Sequence, residues 1–180
     1  MRTLLRPCSV LTVLVALWSI PALGQQHPSM PPDMTHEEHL AQMRRDADMK
    51  QRGAVAMGFD QGAVVHHFLL TTEGGAIQVD VKDTADEESR KVIRVHLRQI
   101  AAAFGDGQFE APFVTHGEMP PGVPDLQRLK STITYTFTET PGGGIVRVAT
   151  TSVEAIRAVH EFLRYQIAEH HTGDPLTIAK

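Results

Sequence analysis

Twice along this chain, two short runs with strand character meet at a glycine-bearing turn and are followed by a run with helical period. The first unit holds Val64–Leu70, the turn Thr72-Glu73-Gly74-Gly75, and Ala76–Val81, whose apolar and polar residues alternate as a half-buried strand requires. Asp83 or Thr84 is placed to cap the helix after it, in which Ile93, Leu97, Ile100 and Phe104 keep one face. The second unit holds Ile133–Phe137, the turn Pro141-Gly142-Gly143-Gly144, and Ile145–Val148. Thr151 and Glu154 then read as a capping box for a helix whose stripe is Ile156, Val159, Leu163 and Ile167. Turn-joined strands pair antiparallel, and the spacings are short for parallel crossovers. Residues 63–180 are therefore expected to form an α+β domain of two layers, a four-stranded antiparallel sheet from two ββα units with both helices on one face.

The upstream residues add less. Thr35-His36-Glu37-Glu38 matches a capping box, and a helix to about Arg52 follows with a thin stripe of Leu40, Met43 and Ala47, so residues 35–62 read as a peripheral N-terminal helix and connector. Residues 25–34 are polar and proline-rich, a flexible arm. Residues 1–24 carry a basic start, a short apolar run from Cys8 to Ile20, and Ala22-Leu23-Gly24 where a signal peptidase cuts, which predicts a secretory signal and no stable membrane anchor. Between the units a proline-bearing loop runs from Gly105 to Pro124, with a helical turn expected at 125–130.

Export restricts the chemistry. Cleavage removes the one cysteine and Arg2 and Arg6 from 17 basic residues, leaving 15 against 21 acidic ones. The remainder, periplasmic or secreted, forms no disulfide and no thiolate metal site, and its acidity is wrong for nucleic acid. It has no Gly-x-Ser-x-Gly elbow, and its glycine pairs lie in hairpins where they cannot cradle a phosphate. No residue pattern names a reaction, so whether the chain is an enzyme is left open.

Imidazole, thioether and carboxylate are the metal ligands that remain. His66 and His67 stand side by side in an apolar strand, so one of them faces the packed side. His96 and His160 flank the apolar stripes of the two helices that cover that side. His116 and Met119 in the long loop, and His170 and His171 at the end of the last helix, can add ligands at the rim. Neutral imidazoles suit copper or zinc. The ordinary alternative is that each histidine borders the core with its ring nitrogens hydrogen-bonded, and that His170 or His171 meets the negative end of its helix. Asp60 can orient an imidazole or cap its own loop. In the arm, Gln25-Gln26-His27 after cleavage offers a square-planar copper site, with His36, His39 and the methionines 30, 34, 43, 49 and 57 nearby.

Met57-Gly58-Phe59-Asp60-Gln61, His66-His67-Phe68, Thr115-His116 with Pro120-Pro121-Gly122-Val123-Pro124, His160-Glu161-Phe162-Leu163-Arg164 and His171-Thr172-Gly173-Asp174 together resemble an uncharacterised family of exported bacterial proteins, from about residue 52 onward. The resemblance brings no activity with it. Members are sometimes labelled aspartate carbamoyltransferase, but the nearest string to that enzyme's phosphate loop, Ser131-Thr132-Ile133-Thr134-Tyr135, lacks its arginines and belongs to a strand. The leading expectation is an exported protein that binds a transition metal, copper before zinc, through His66 or His67, His96 and His160, with His116 and His171 as outer candidates. A haem-binding or metal-dependent enzyme and a structural or interaction module with core histidines are the alternatives.

Overall fold

The computed structural model describes residues 34–178; the signal and nearly all of the arm, including Gln25-Gln26-His27 and Met30, lie outside them. The chain begins with α1 (His36–Met57). The Thr35 hydroxyl accepts from the Glu38 N–H and the Glu38 carboxylate accepts from the Thr35 N–H, a capping box that closes the first turn at both orphan donors. The helix runs a turn beyond Arg52 and stops where Gly58 takes a left-handed conformation, φ +78°.

Four strands follow in two hairpins, β1 (Val64–Thr71) with β2 (Gly74–Val81), and β3 (Thr134–Glu139) with β4 (Gly143–Ala149). They form one antiparallel sheet in the order β1-β2-β4-β3. Register sets which side chains share a face. His66 pairs with Val79 and Phe68 with Ile77, and Ile77 in turn pairs with Val146. These residues face the helices, while His67, Gln78 and Ile145 face the other way.

The two-layer α+β architecture is as the sequence predicts. α2 (Glu87–Gly105) and α5 (Val153–Glu169) both pack on one face. Each helix covers mainly the hairpin of the other unit: α2 lies against β3 and β4, α5 against β1 and β2. Ile93, Leu97 and Phe104 of α2 and Val159, Phe162 and Leu163 of α5 are buried against Val79, Val146 and Val148.

The caps differ from expectation. Asp86, not Asp83 or Thr84, accepts from the Ser89 N–H, and Ser152, not Thr151, accepts from the Ala155 N–H. In each case the capping residue lies one to three positions later, and the Asp83 carboxylate instead accepts from the Ala85 N–H in a turn of its own. The long loop contains two short helices, α3 (Glu110–His116) and α4 (Val123–Arg128), with a 3-10 turn over Lys130–Thr132. α1 packs on α3, where Arg52 donates to the carbonyls of Thr115 (3.0 Å) and His116 (3.4 Å). No helix among the described residues is long and apolar enough to cross a membrane.

Candidate functional site

The groove between α2 and α5, floored by β1 and β2 and roofed by α3 and the end of α1, does not close completely. It leaves a cavity of about 60 Å3. Phe68, Ile77, Val79, Leu97, Ile100, Phe104 and Phe162 supply apolar walls. Four imidazoles from four places in the chain complete them: His66 of β1, His96 of α2, His116 at the end of α3 and His170 just after α5. Met57, Thr115 and Gln166 are the other polar or polarisable side chains, and no carboxylate lines the cavity.

The rings approach closely. His170 lies 5.4 Å from His66 between ring centroids, with the planes only 24° apart, and 5.2 Å from His116 edge to face. Phe59 stands between His66 (6.5 Å) and His96 (5.8 Å). Withdrawal from water disfavours the imidazolium form. Burial, with help from the neighbouring His96 and His67, holds His66 down to about 4, and burial alone holds His96 at about 4. Burial and the adjacent rings of His66 and His116 take His170 to about 3. His116 is lowered as well, by burial, against a partial offset from its bond to Gln166. All four are therefore neutral at pH 7, each with one lone-pair nitrogen.

Two of those rings have nitrogens left without a partner. His66 Nε2 and His116 Nδ1 are buried and have no hydrogen-bond partner among the described residues, as is true of Gln166 Nε2. His116 Nε2–H donates to Gln166 Oε1 at 3.0 Å. That bond fixes the tautomer, so Nδ1 carries the lone pair. Buried polar atoms without partners are few in native proteins, and each calls for a reason.

Of the seven histidines that the sequence brings forward from β1 onward, His66, His96, His116 and His170 meet at this cavity. The other three are elsewhere. His67 points to the open face of the sheet and donates to Asp174 Oδ1 at 2.9 Å. His160 is buried, 7% exposed, yet its Nε2–H is used on the Thr71 carbonyl at 2.9 Å, tying α5 to the end of β1. His171, turned outward by a positive φ of 50°, sits 3.5 Å from Asp46. Asp60 accepts from the Gly62 N–H and shapes its own loop. Of the helix and arm methionines, Met49 is buried, Met43 is exposed and Met57 reaches the cavity, where the Gln61 amide donates to its sulfur at 3.4 Å.

His170 and Gln166 are the residues that helix phase alone marks for the inside. They continue the face of Leu163 and Ile167 at three- and four-residue steps. As placed, no three histidine, aspartate or glutamate side chains among the described residues stand close enough to share an ion. The cavity is a set of converging ligands without a closed shell. Comparison with family models, with curated proteins and with solved structures finds no match.

Proposed function

We propose that this chain is an exported protein that binds a transition-metal ion, copper before zinc, in the cavity between α2 and α5. One observation carries the reading: four neutral imidazoles surround one small cavity lined by no carboxylate, and two of their nitrogens have no partner among the described residues. Nitrogen donors with the Met57 thioether suit copper and zinc, and the absence of oxyanions disfavours magnesium and calcium. The order copper before zinc follows from their relative affinities for such donors. Closing the shell requires the rings of His66, His96, His116 and His170 to swing inward by rotamer changes, since bonds to nitrogen are about 2.0–2.1 Å. A volume of about 60 Å3 takes an ion and one or two water-sized ligands, which favours a bare ion over a haem macrocycle.

Titration of the full chain with Cu(I), Cu(II) and Zn(II), followed calorimetrically and by EPR, tests this. One ion per chain is expected, with affinity reduced about tenfold or more by His96→Ala and by His170→Ala. His36→Ala and His39→Ala, on α1 outside the cavity, leave that ion in place. Absence of stoichiometric binding, or binding indifferent to His96 and His170, favours the interaction module instead.

A further inference from the structure

The two outer strands of the sheet, β1 and β3, each turn one row of backbone groups away from it. In β1 the Phe68 N–H of that row is taken by the Asp174 carboxylate at 2.8 Å. β3 is bare. Alternate residues of an antiparallel strand bond to the neighbouring strand and the rest face outward. Just past the strand, the Thr140 N–H donates to the Gly143 carbonyl at 3.1 Å, which assigns Thr134, Thr136 and Thr138 to β4 and points the N–H and C=O of Tyr135 and Phe137 outward. Those outward groups have no partner among the described residues. Sheet edges are ordinarily blunted by charge, proline, a bulge or a cover. The register of β3 on β4 is unbroken from Thr134 to Glu139, and Ser131 to Thr138 include no charged residue and no proline. Thr134, Thr136 and Thr138 are exposed, and Tyr135 and Phe137 are only partly buried.

The sequence of this edge also specifies what fits it. Thr134-Tyr135-Thr136-Phe137-Thr138 reads nearly the same in both directions about Thr136. A contact around a two-fold axis sets residue i opposite j and j opposite i. With the axis at Thr136, Tyr135 lies opposite Phe137 of the second copy, and these are the residues whose backbone groups face outward, so N–H meets C=O along the shared edge. Ring meets ring on one face; on the other, Thr134 meets Thr138 and Thr136 meets its own equivalent, pairs that stabilise antiparallel strands. Charge agrees. Copies of a chain of net charge −4 repel, yet they meet here along a neutral segment, and Glu139 at its end faces Ile133 and is already paired with Arg94 and Arg98 of its own copy. We infer that β3 is a self-association edge: two copies of this chain pair β3 with β3, antiparallel about Thr136, and join their four-stranded sheets into one. Tyr135 and Phe137 line no part of the histidine cavity, so the pairing stands apart from what that cavity holds.

Sedimentation velocity of the full chain over a range of concentrations tests this, together with hydrogen exchange at the Tyr135 and Phe137 amides. A dimer is expected, with protection of those two amides rising as it forms. Thr136 is exposed, so Thr136→Lys and Thr136→Glu should keep the wild-type urea midpoint; each sets like charges across the axis and should weaken self-association about tenfold or more. Mixing the two variants should restore a dimer with one copy of each, because only at the axis does a residue face itself. A wild-type chain that stays monomeric up to about 0.1 mM overturns the pairing. So does a dimer whose affinity is the same in both variants, which would lie on another surface. Protection of the two amides in a monomer overturns it as well and gives the edge to another segment of the chain. Should either variant unfold, the concentration dependence of the two wild-type amides still decides.

Discussion

Asp174 is tied to β1 across more than a hundred residues: one oxygen of its carboxylate accepts from His67 Nδ1–H at 2.9 Å and the other from the backbone N–H of Phe68 at 2.8 Å. β1 is an edge strand, so the Phe68 N–H has no neighbouring strand to use it. Burial alone lifts the Asp174 carboxyl, but the bonds from Phe68, Thr172 and His67 outweigh it and bring it below the ordinary carboxylate range. Asp174→Ala is expected to cost about 1–3 kcal/mol, because a charged acceptor is lost and a strand donor is left unmade. Faster hydrogen exchange at the Phe68 amide, with the far strand β3 unchanged, is the signature to look for.

The metal-free protein should lose stability as pH falls below neutrality. His66, His96 and His170 have folded values of about 4, 4 and 3, below the 6.5 of a free imidazole. Above pH 6.5 both folded and unfolded chains are neutral at these sites, and stability is at its highest. Between pH 6.5 and about 4 the unfolded chain takes up protons that the native chain refuses. Unfolding then binds roughly two to three protons near pH 5, a slope of about 3–4 kcal/mol per pH unit. Urea midpoints measured at pH 7, 6 and 5 check this, and a flat profile would contradict the burial of these rings.

His160 and His66 should respond in opposite ways to mutation. His160 spends its Nε2–H on the Thr71 carbonyl inside the core, so His160→Ala removes both packing and a buried bond and should cost about 2–4 kcal/mol. Its effect on metal affinity is expected to be small. His66 Nε2 has no partner among the described residues, so His66→Leu should unfold at an equal or higher urea concentration while weakening the metal. Paired denaturation and metal titrations of the two variants separate a scaffold histidine from a site histidine.

Gly122 fixes the approach of α4 to α5. Its φ is +82°, and a Cβ there would run into the Ala158 carbonyl and the Phe162 N–H. Gly122→Ala is expected to cost roughly 2–4 kcal/mol, the sum of a strained backbone and a displaced helix. Because Phe162 lines the cavity, a change in metal affinity should accompany the loss.

The sheet and its two covering helices were legible because their apolar residues repeat at two and at three to four, and because glycine turns separate them. α3 was not, since a helix of seven residues that contains Pro112 leaves too few turns for a period to register, and α4 was read only as a turn at 125–130, two residues late. The sequence left open whether His66 or His67 faces inward, and the structure turns His66 in beside Phe68 and His67 out to Asp174; His96 was readable from its place beside Val92 and Ile100. His160 misleads because an inward histidine can point along the core as easily as into a void, and only the position of Thr71 decides. His170 was set behind His171 because both stand where a helix ends, yet its phase with Gln166 and Leu163 separates them. Periodicity tells which residues go inside; it is silent on whether the packing there is complete.

The bond from Asp174 to His67 spans 107 residues, and the one from His160 to Thr71 spans 89. The wall formed by β1 is thus held by residues that lie beyond both hairpins in the sequence. Contacts so distant in sequence slow the search for the native state. The four imidazoles cannot all meet before His170 has been synthesised, 104 residues after His66.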